Sequence, residues 1–193
     1  MKYPAKLSKP YKIFLCGSEG CGKGHQAKII SKPETRLVVW DTPADWQPAR
    51  TKIHGDIRKL RAALLRPHFR IAFRPDIYEL KNQFDEFNKL VFAVGRMTAI
   101  YDELNMVTIP NHTPPSFMNM TSRSRHRGIK MIGMTQRPSE TGKSFISNAT
   151  EIYAGNLAEP ADLAPLRSRA GASFIEGLPN MPLRKLKHWK RPE

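Results

Sequence analysis

The chain has 193 residues, 40% hydrophobic and 25% charged, a balance that excludes a disordered or collagen-like chain and fits one domain with a sizeable core. Lys and Arg number 32 against 17 Asp and Glu, a formal net charge of +15, which points to a polyanionic partner, nucleic acid before an anionic membrane surface. The two cysteines, Cys16 and Cys21, cannot supply a disulfide framework or a four-ligand zinc site, and no apolar run approaches the roughly 18 residues of a membrane span.

Short runs rich in β-branched and aromatic residues alternate with longer amphipathic stretches, the pattern of strands joined by crossover helices, so an α/β fold with a mainly parallel sheet is expected. The basic N-terminus is followed by only a short apolar stretch, too short for a secretory leader, and a reducing, intracellular setting is expected. In chain order the pattern predicts a strand over 11–16, a helix over 23–31, a strand over 36–40 and a proline-bearing loop over 41–50. A helix over 56–65, a strand over 69–73, a helix over 77–94 and a strand over 97–101 come next. The loop IPNHTPPS precedes a helix over 116–127, a strand over 129–134, a strand over 150–154 and a helix over 159–169. The last stretch, LRKLKHWKRPE, is basic and is expected to lie outside the sheet, dividing the chain into a domain over 1–182 and a tail over 183–193.

Between the first strand and first helix stands Gly17-Ser18-Glu19-Gly20-Cys21-Gly22-Lys23, the setting a phosphate loop requires. Glycines let backbone N–H groups turn inward on phosphate oxygens, the helix N-terminus adds a positive dipole end, and Lys23 adds a mobile charge. A nucleotide such as ATP is the expected ligand, with Gly24 and His25 opening the helix beside it. Gly24 stands where Ser or Thr would offer Mg²⁺ a hydroxyl, so the ion lacks that ligand. Locally, Gly22-Lys23-Gly24-His25-Gln26 resembles the phosphate loop of adenylate kinases, but the chain has no D-G-[FY]-P-R segment and no recognisable lid.

The strand over 97–101 delivers Asp102 and Glu103 at its C-terminal end. An Asp there can organise Mg²⁺ and the adjacent Glu can take a proton from an attacking water, the arrangement of a Walker B segment. A third apolar strand ends in Thr135-Gln136-Arg137-Pro138-Ser139, where the Gln136 amide can donate to a γ-phosphate and accept from water. With the strand R-L-V-V-W-D ending at Asp41, these motifs resemble the FtsK–HerA superfamily of DNA-translocating ATPases over roughly residues 11–166. The short chain is most similar to the compact genome-packaging ATPases of viruses, or to related phage assembly ATPases.

That resemblance implies a P-loop NTPase of the ASCE, RecA-like kind, a ring homo-oligomer, a hexamer by family habit, acting on DNA and meeting capsid vertex proteins in the host cytoplasm or the virion. It further implies that Lys23 binds phosphate, Asp102 holds Mg²⁺, Glu103 activates water and Gln136 senses the γ-phosphate, with His25 a weak substitute for the missing hydroxyl. Ring ATPases complete their sites with an arginine from a neighbour, and Arg123, Arg125, Arg127 and Arg137 all qualify, the first three also as DNA contacts. In the tail, Lys185, Lys187, Lys190 and Arg191 could grip phosphates around a stacking Trp189. A nucleotide kinase, and a DNA-binding or assembly protein with a decayed loop, are the alternatives. The remaining histidines lack metal-ligand spacing, Asp85 and Glu86 read as a solvated helix face, and Trp40 and Trp46 as packing beside the sheet edge.

Overall fold

The computed structural model describes residues 4–47 and 49–192; Pro48 of the predicted loop and Glu193 of the predicted tail lie outside the described residues. Eight strands form a mainly parallel sheet flanked by helices, the α/β class expected. The strands are β1 (Lys12–Cys16), β2 (Arg36–Trp40), β3 (Thr51–His54), β4 (Phe69–Arg74), β5 (Met97–Tyr101), β6 (Ile129–Thr135), β7 (Glu151–Ala154) and β8 (Lys187–Lys190). The helices are α1 (Lys23–Ser31), α2 (Ile57–Leu64), α3 (Leu80–Val94), α4 (Pro115–Arg123), α5 (Lys143–Ser147), α6 (Pro160–Ala170) and α7 (Ala172–Ile175).

The chain falls into two compact units. The first comprises the segment ending at Tyr11 together with Ser31–Asp102 and Pro114–Met131. Within it the strands run parallel in the order β3-β4-β2-β5, with Arg36 opposite Phe69 and Leu37 opposite Thr98. A parallel strand covered on both faces reads as a continuous apolar run, and Leu37, Val38, Val39 and Trp40 are all fully buried. The core of this unit is aromatic. Trp40 lies 5.7 Å from Phe73 and meets Phe84 and Phe87 of α3 edge-on at 5.1 and 5.3 Å. Such rings contribute about 1.5–3 kcal/mol each by burial. Tyr101, whose burial pushes its phenol well above the ordinary range, gives its hydroxyl hydrogen to Asn88 at 2.9 Å.

The second unit comprises Lys12–Ile30, Glu103–Thr113 and the chain from Ile132 onward. Here β1 lies between β6 and β7, pairing with β7 in parallel from Ile13–Glu151 to Cys16–Ala154. β8 closes the edge antiparallel to β7, with Trp189 opposite Ile152.

Several sequence expectations shift. The helix predicted from 77 begins at Leu80, because Asp76 accepts from the Tyr78 N–H at 2.9 Å and Gln83 accepts from the Asp76 N–H, turning the chain first. The helix predicted over 116–127 is α-helical only to Arg123; the turn Ser124–Arg127 tightens to 3₁₀ and stops at Gly128, which is left-handed at φ 65°. The basic tail expected outside the sheet supplies β8 instead. Lys187 Nζ donates to the Ser173 and Glu176 carbonyls, the Trp189 ring lies under the Arg169 guanidinium at 5.0 Å, and His188 stacks on Tyr153 at 4.2 Å. Trp40 and Trp46 are fully buried core residues.

Candidate functional site

The loop after β1 is shaped by its glycines. Gly17 sits at φ 141° and Gly22 at φ 104°, backbone that a side chain rarely adopts, and a Cβ on Gly17 would lie 2.7 Å from Cys21 Sγ. The Ser18 N–H donates to the Asn156 carbonyl at 2.8 Å, and the Asn156 amide donates to the Pro179 carbonyl, so the segment after β7 braces the loop. Lys23, nine-tenths buried, donates from Nζ to the Gly17 and Ser18 carbonyls at 2.7 and 3.0 Å. Its ammonium is thus held inside the loop that leads into α1, where cradled phosphates would need a cation. Glu19, Gly20 and His25 are exposed, Cys21 is buried, and Gly24 has open space around its Cα. Burial pushes the Cys16 thiol far above its usual range, so Cys16 is packing and not a nucleophile.

Glu103 and Gln136 come together in the same unit. Glu103 follows β5 in the left-handed region at φ 54°, a strained setting for a non-glycine that turns its carboxylate aside from the strand. Gln136 Nε2 donates to Glu103 Oε1 at 3.0 Å, and the Gln136 N–H approaches Oε2 at 3.4 Å. A polar chain supports the pair: Thr135 Oγ1 donates to Asn105 Oδ1 at 2.9 Å and accepts the Arg137 N–H at 3.0 Å. Arg137 points back within its own chain, 3.3 Å from Glu140 and 3.4 Å from Asp162. Asp162, at the start of α6 and nearly fully buried, also accepts from the Ser139 N–H at 2.9 Å and its hydroxyl at 2.6 Å. Sequence reasoning missed Asn105, Asn156 and Asp162, whose contacts span 23 to 138 residues of chain or lie on loops without a motif.

Asp102 belongs to the first unit, where its carboxylate meets two that follow β2. Oxygens of Asp41, Asp45 and Asp102 all lie within 4.8 Å of one another. Asp41 is buried, pairs with Arg74 Nε at 3.1 Å and accepts from the Asp45 and Trp46 N–H groups at 3.2 Å, while the Asp102 N–H donates to the Trp40 carbonyl. Grouped carboxylates are favoured by positive charge beside them, and Arg74 supplies one such charge to Asp41. Hard oxygen donors in such a group fit a divalent cation such as Mg²⁺.

The arginine candidates separate by their contacts. Arg127 Nε donates to the Phe92 carbonyl at 2.9 Å and a second nitrogen to Ala93, capping the end of α3. Among the described residues the structure gives the Arg123 and Arg125 side chains no such bond. In the tail, Lys185, Lys190 and Arg191 are exposed, and the Arg191 N–H donates to the Thr150 carbonyl.

With this geometry established, the relationship to known proteins is informative. No family model matches the chain. It is 23% identical over 183 residues to Protein P9 of Pseudoalteromonas phage PM2, covering 91% of this chain and 83% of that protein. Among solved structures it superposes on the genome packaging NTPase B204 from Sulfolobus turreted icosahedral virus 2, solved with ATP-γS, at a TM-score of 0.75, 14% identity and 95% and 93% coverage of the two chains. The chain has the fold of a P-loop NTPase. VirB4 of Thermoanaerobacter pseudethanolicus is similar too, at a TM-score of 0.62, 11% identity and 94% and 89% coverage. No helix among the described residues is long and apolar enough to cross a membrane.

Proposed function

We propose that this chain is a viral genome-packaging ATPase, hydrolysing ATP and using the cycle to move DNA. The observation that carries the reading is the bonded pair of Glu103 and Gln136 at strand ends, in a chain whose lysine is already seated in a glycine loop. A nucleotide kinase keeps water away from the transferred phosphoryl group, whereas a carboxylate beside an amide suits placing and deprotonating an attacking water.

In the proposed reaction the loop N–H groups and Lys23 bind the β- and γ-phosphates. Glu103 accepts a proton from water as its oxygen bonds to the γ-phosphorus and the bond to the ADP oxygen breaks. Gln136 exchanges its bond to Glu103 for one to the γ-phosphate, which frees the carboxylate at the moment the substrate is in place. Asp102, with Asp41 and Asp45, would hold Mg²⁺, which would supply positive charge for phosphoryl chemistry. Arg137 is committed to Glu140 and Asp162 and positions the loop that carries Gln136, which leaves Arg123 and Arg125 as the arginines to be offered to a neighbouring subunit of a ring.

The partners implied are DNA, further copies of the chain in a ring, and capsid vertex proteins, at work in the host cytoplasm or on the virion. The fold shared with the B204 packaging NTPase and the +15 charge support this reading. The test is phosphate release from ATP with and without DNA. Stimulation by DNA supports the motor. Transfer to a nucleoside monophosphate would replace it with the kinase, and DNA binding without turnover with an assembly protein.

A further inference from the structure

The strands of the first unit begin, as well as end, in charged residues. Arg36 opens β2, His68 precedes β4 and Arg96 precedes β5, while His126 and Arg127 close the turn before β6. Because β2, β4 and β5 are parallel neighbours, these residues share one edge of the sheet. Asp41 and Asp102 terminate β2 and β5, at the other ends of the same strands, roughly 16 Å away for five residues of strand.

That edge is hollowed. A groove of about 680 Å³ is lined by Arg36, His68, Arg96, His126 and Arg127 over Leu64 and Leu65, and it contains no acid. An adjoining hollow of about 800 Å³ shares Thr35 and His68 and adds Lys32, Arg50, Arg66 and Arg70. The one acid lining the second, Glu34, is paired with Lys130 at 2.9 Å.

The polar floor is already committed. Arg36 Nε donates to the Arg96 carbonyl at 2.8 Å and Nη1 to the Arg66 carbonyl at 2.7 Å, and Arg127 caps α3, so these arginines consume the backbone acceptors that would otherwise repel an anion. Arg66 and Arg96, by contrast, are exposed, and no bond to their guanidinium groups appears among the described residues. Arg96 is held at φ 54°, directly after Gly95 at φ 63°. Positive φ is strained only at Arg96, where the N–H donates to the Arg127 carbonyl at 2.7 Å and fixes the backbone while the side chain stays in solvent. An exposed charge on a backbone fixed in this way is placed for a ligand.

We infer that this groove and the hollow adjoining it form a second contact for DNA, separate from the ATP chemistry, in which Arg96 in the groove and Arg66 in the hollow bind the phosphate backbone and the exposed Leu65 lies against sugar. This rests on the packaging reading for the identity of the polyanion. Exposed guanidinium groups spaced along an acid-free groove suit the repeated phosphates of a nucleic-acid backbone.

The experiment measures affinity for a duplex of about 30 base pairs over a range of salt, alongside ATP affinity. It uses the full chain, Arg66→Gln/Arg96→Asn, and Lys185→Gln/Arg191→Gln as a comparison. Asparagine tolerates the left-handed backbone at position 96, so the groove variant keeps its fold, checked by its melting temperature. The groove variant should lose at least tenfold in DNA affinity at low salt, and its salt slope should flatten by about 1.8, or 0.9 per phosphate contact, with ATP affinity unchanged. A slope equal to the parent's overturns the groove while leaving packaging intact, as would loss confined to the tail variant; an acidic protein as the true occupant would give that result. A parent that binds no duplex at low salt overturns both the groove and the DNA arm of the proposed function.

Discussion

The two ends of the parallel strands are built to different rules. At the C-terminal ends stand Gly17 after β1, Asp41 after β2, Asp102 after β5 and Gln136 after β6, nearly every one bonded at a defined distance to a neighbour. At the N-terminal ends of the first unit stand arginines and histidines, some spent on capping carbonyls and others left in solvent. A parallel sheet turns chain direction into spatial separation, so chemistry gathers where strands finish and the opposite edge is free to evolve another role. Ordered polar networks fix geometry for reacting atoms. Exposed cations suit a ligand that slides.

The sharpest way to break this contrast is Lys23→Ala. Among the described residues the side chain is bonded to its own loop, so the fold should persist while turnover falls on the order of 10³-fold with loss of ATP affinity. Near-parental ATPase rates in a folded variant would remove the loop from the chemistry. DNA affinity at the arginine edge should not move.

A smaller effect is expected at Asp162, which holds the Gln136 loop from below without touching substrate. Asp162→Ala leaves the Ser139 N–H without its acceptor and Arg137 with Glu140 alone, which should cost about 2–3 kcal/mol in a denaturant titration and lower turnover about tenfold. Asp162→Asn retains a hydrogen-bonding oxygen and should recover part of both. Equal losses in the two variants would show that the charge, and not the bond to Ser139, positions the loop.

The continuous apolar runs made most of the fold readable from sequence. β2, β5 and α1 begin and end where the periodicity and the flanking Gly, Pro and Asp place them, because parallel buried strands and a glycine loop leave strong marks. β3 did not, since three of the four residues in Thr51–His54 are exposed, nor did β8, whose basic, half-exposed sequence resembles a solvated tail. At the site, Lys23, Asp102, Glu103 and Gln136 were legible as motif positions. Asp45 and Asp162 were not, because what selects them is tertiary: a turn that folds Asp45 back on Asp102, and a helix start that meets a loop 23 residues earlier. No local pattern encodes such pairings.

The smallest effect belongs to a region with neither role. Asp56 caps α2 by accepting the Lys59 N–H at 2.9 Å, and that bond holds its carboxyl below the usual range. A lowered folded value means that its stabilisation is present above the unfolded carboxylate range, about pH 4, and is lost as pH falls through the lower folded value. Asp56→Ala should therefore lower the melting temperature slightly at pH 7, with the difference closing at acid pH and turnover unchanged.

The central claim is that Glu103 is the base for water, and the steady-state ATPase rate of Glu103→Gln, measured with ATP affinity on the same preparation, tests it most directly. The amide keeps the size and one oxygen for the Gln136 contact but cannot accept a proton, so turnover should fall by about 10²- to 10⁴-fold with affinity nearly unchanged. Turnover within a few-fold of the parent would contradict the account.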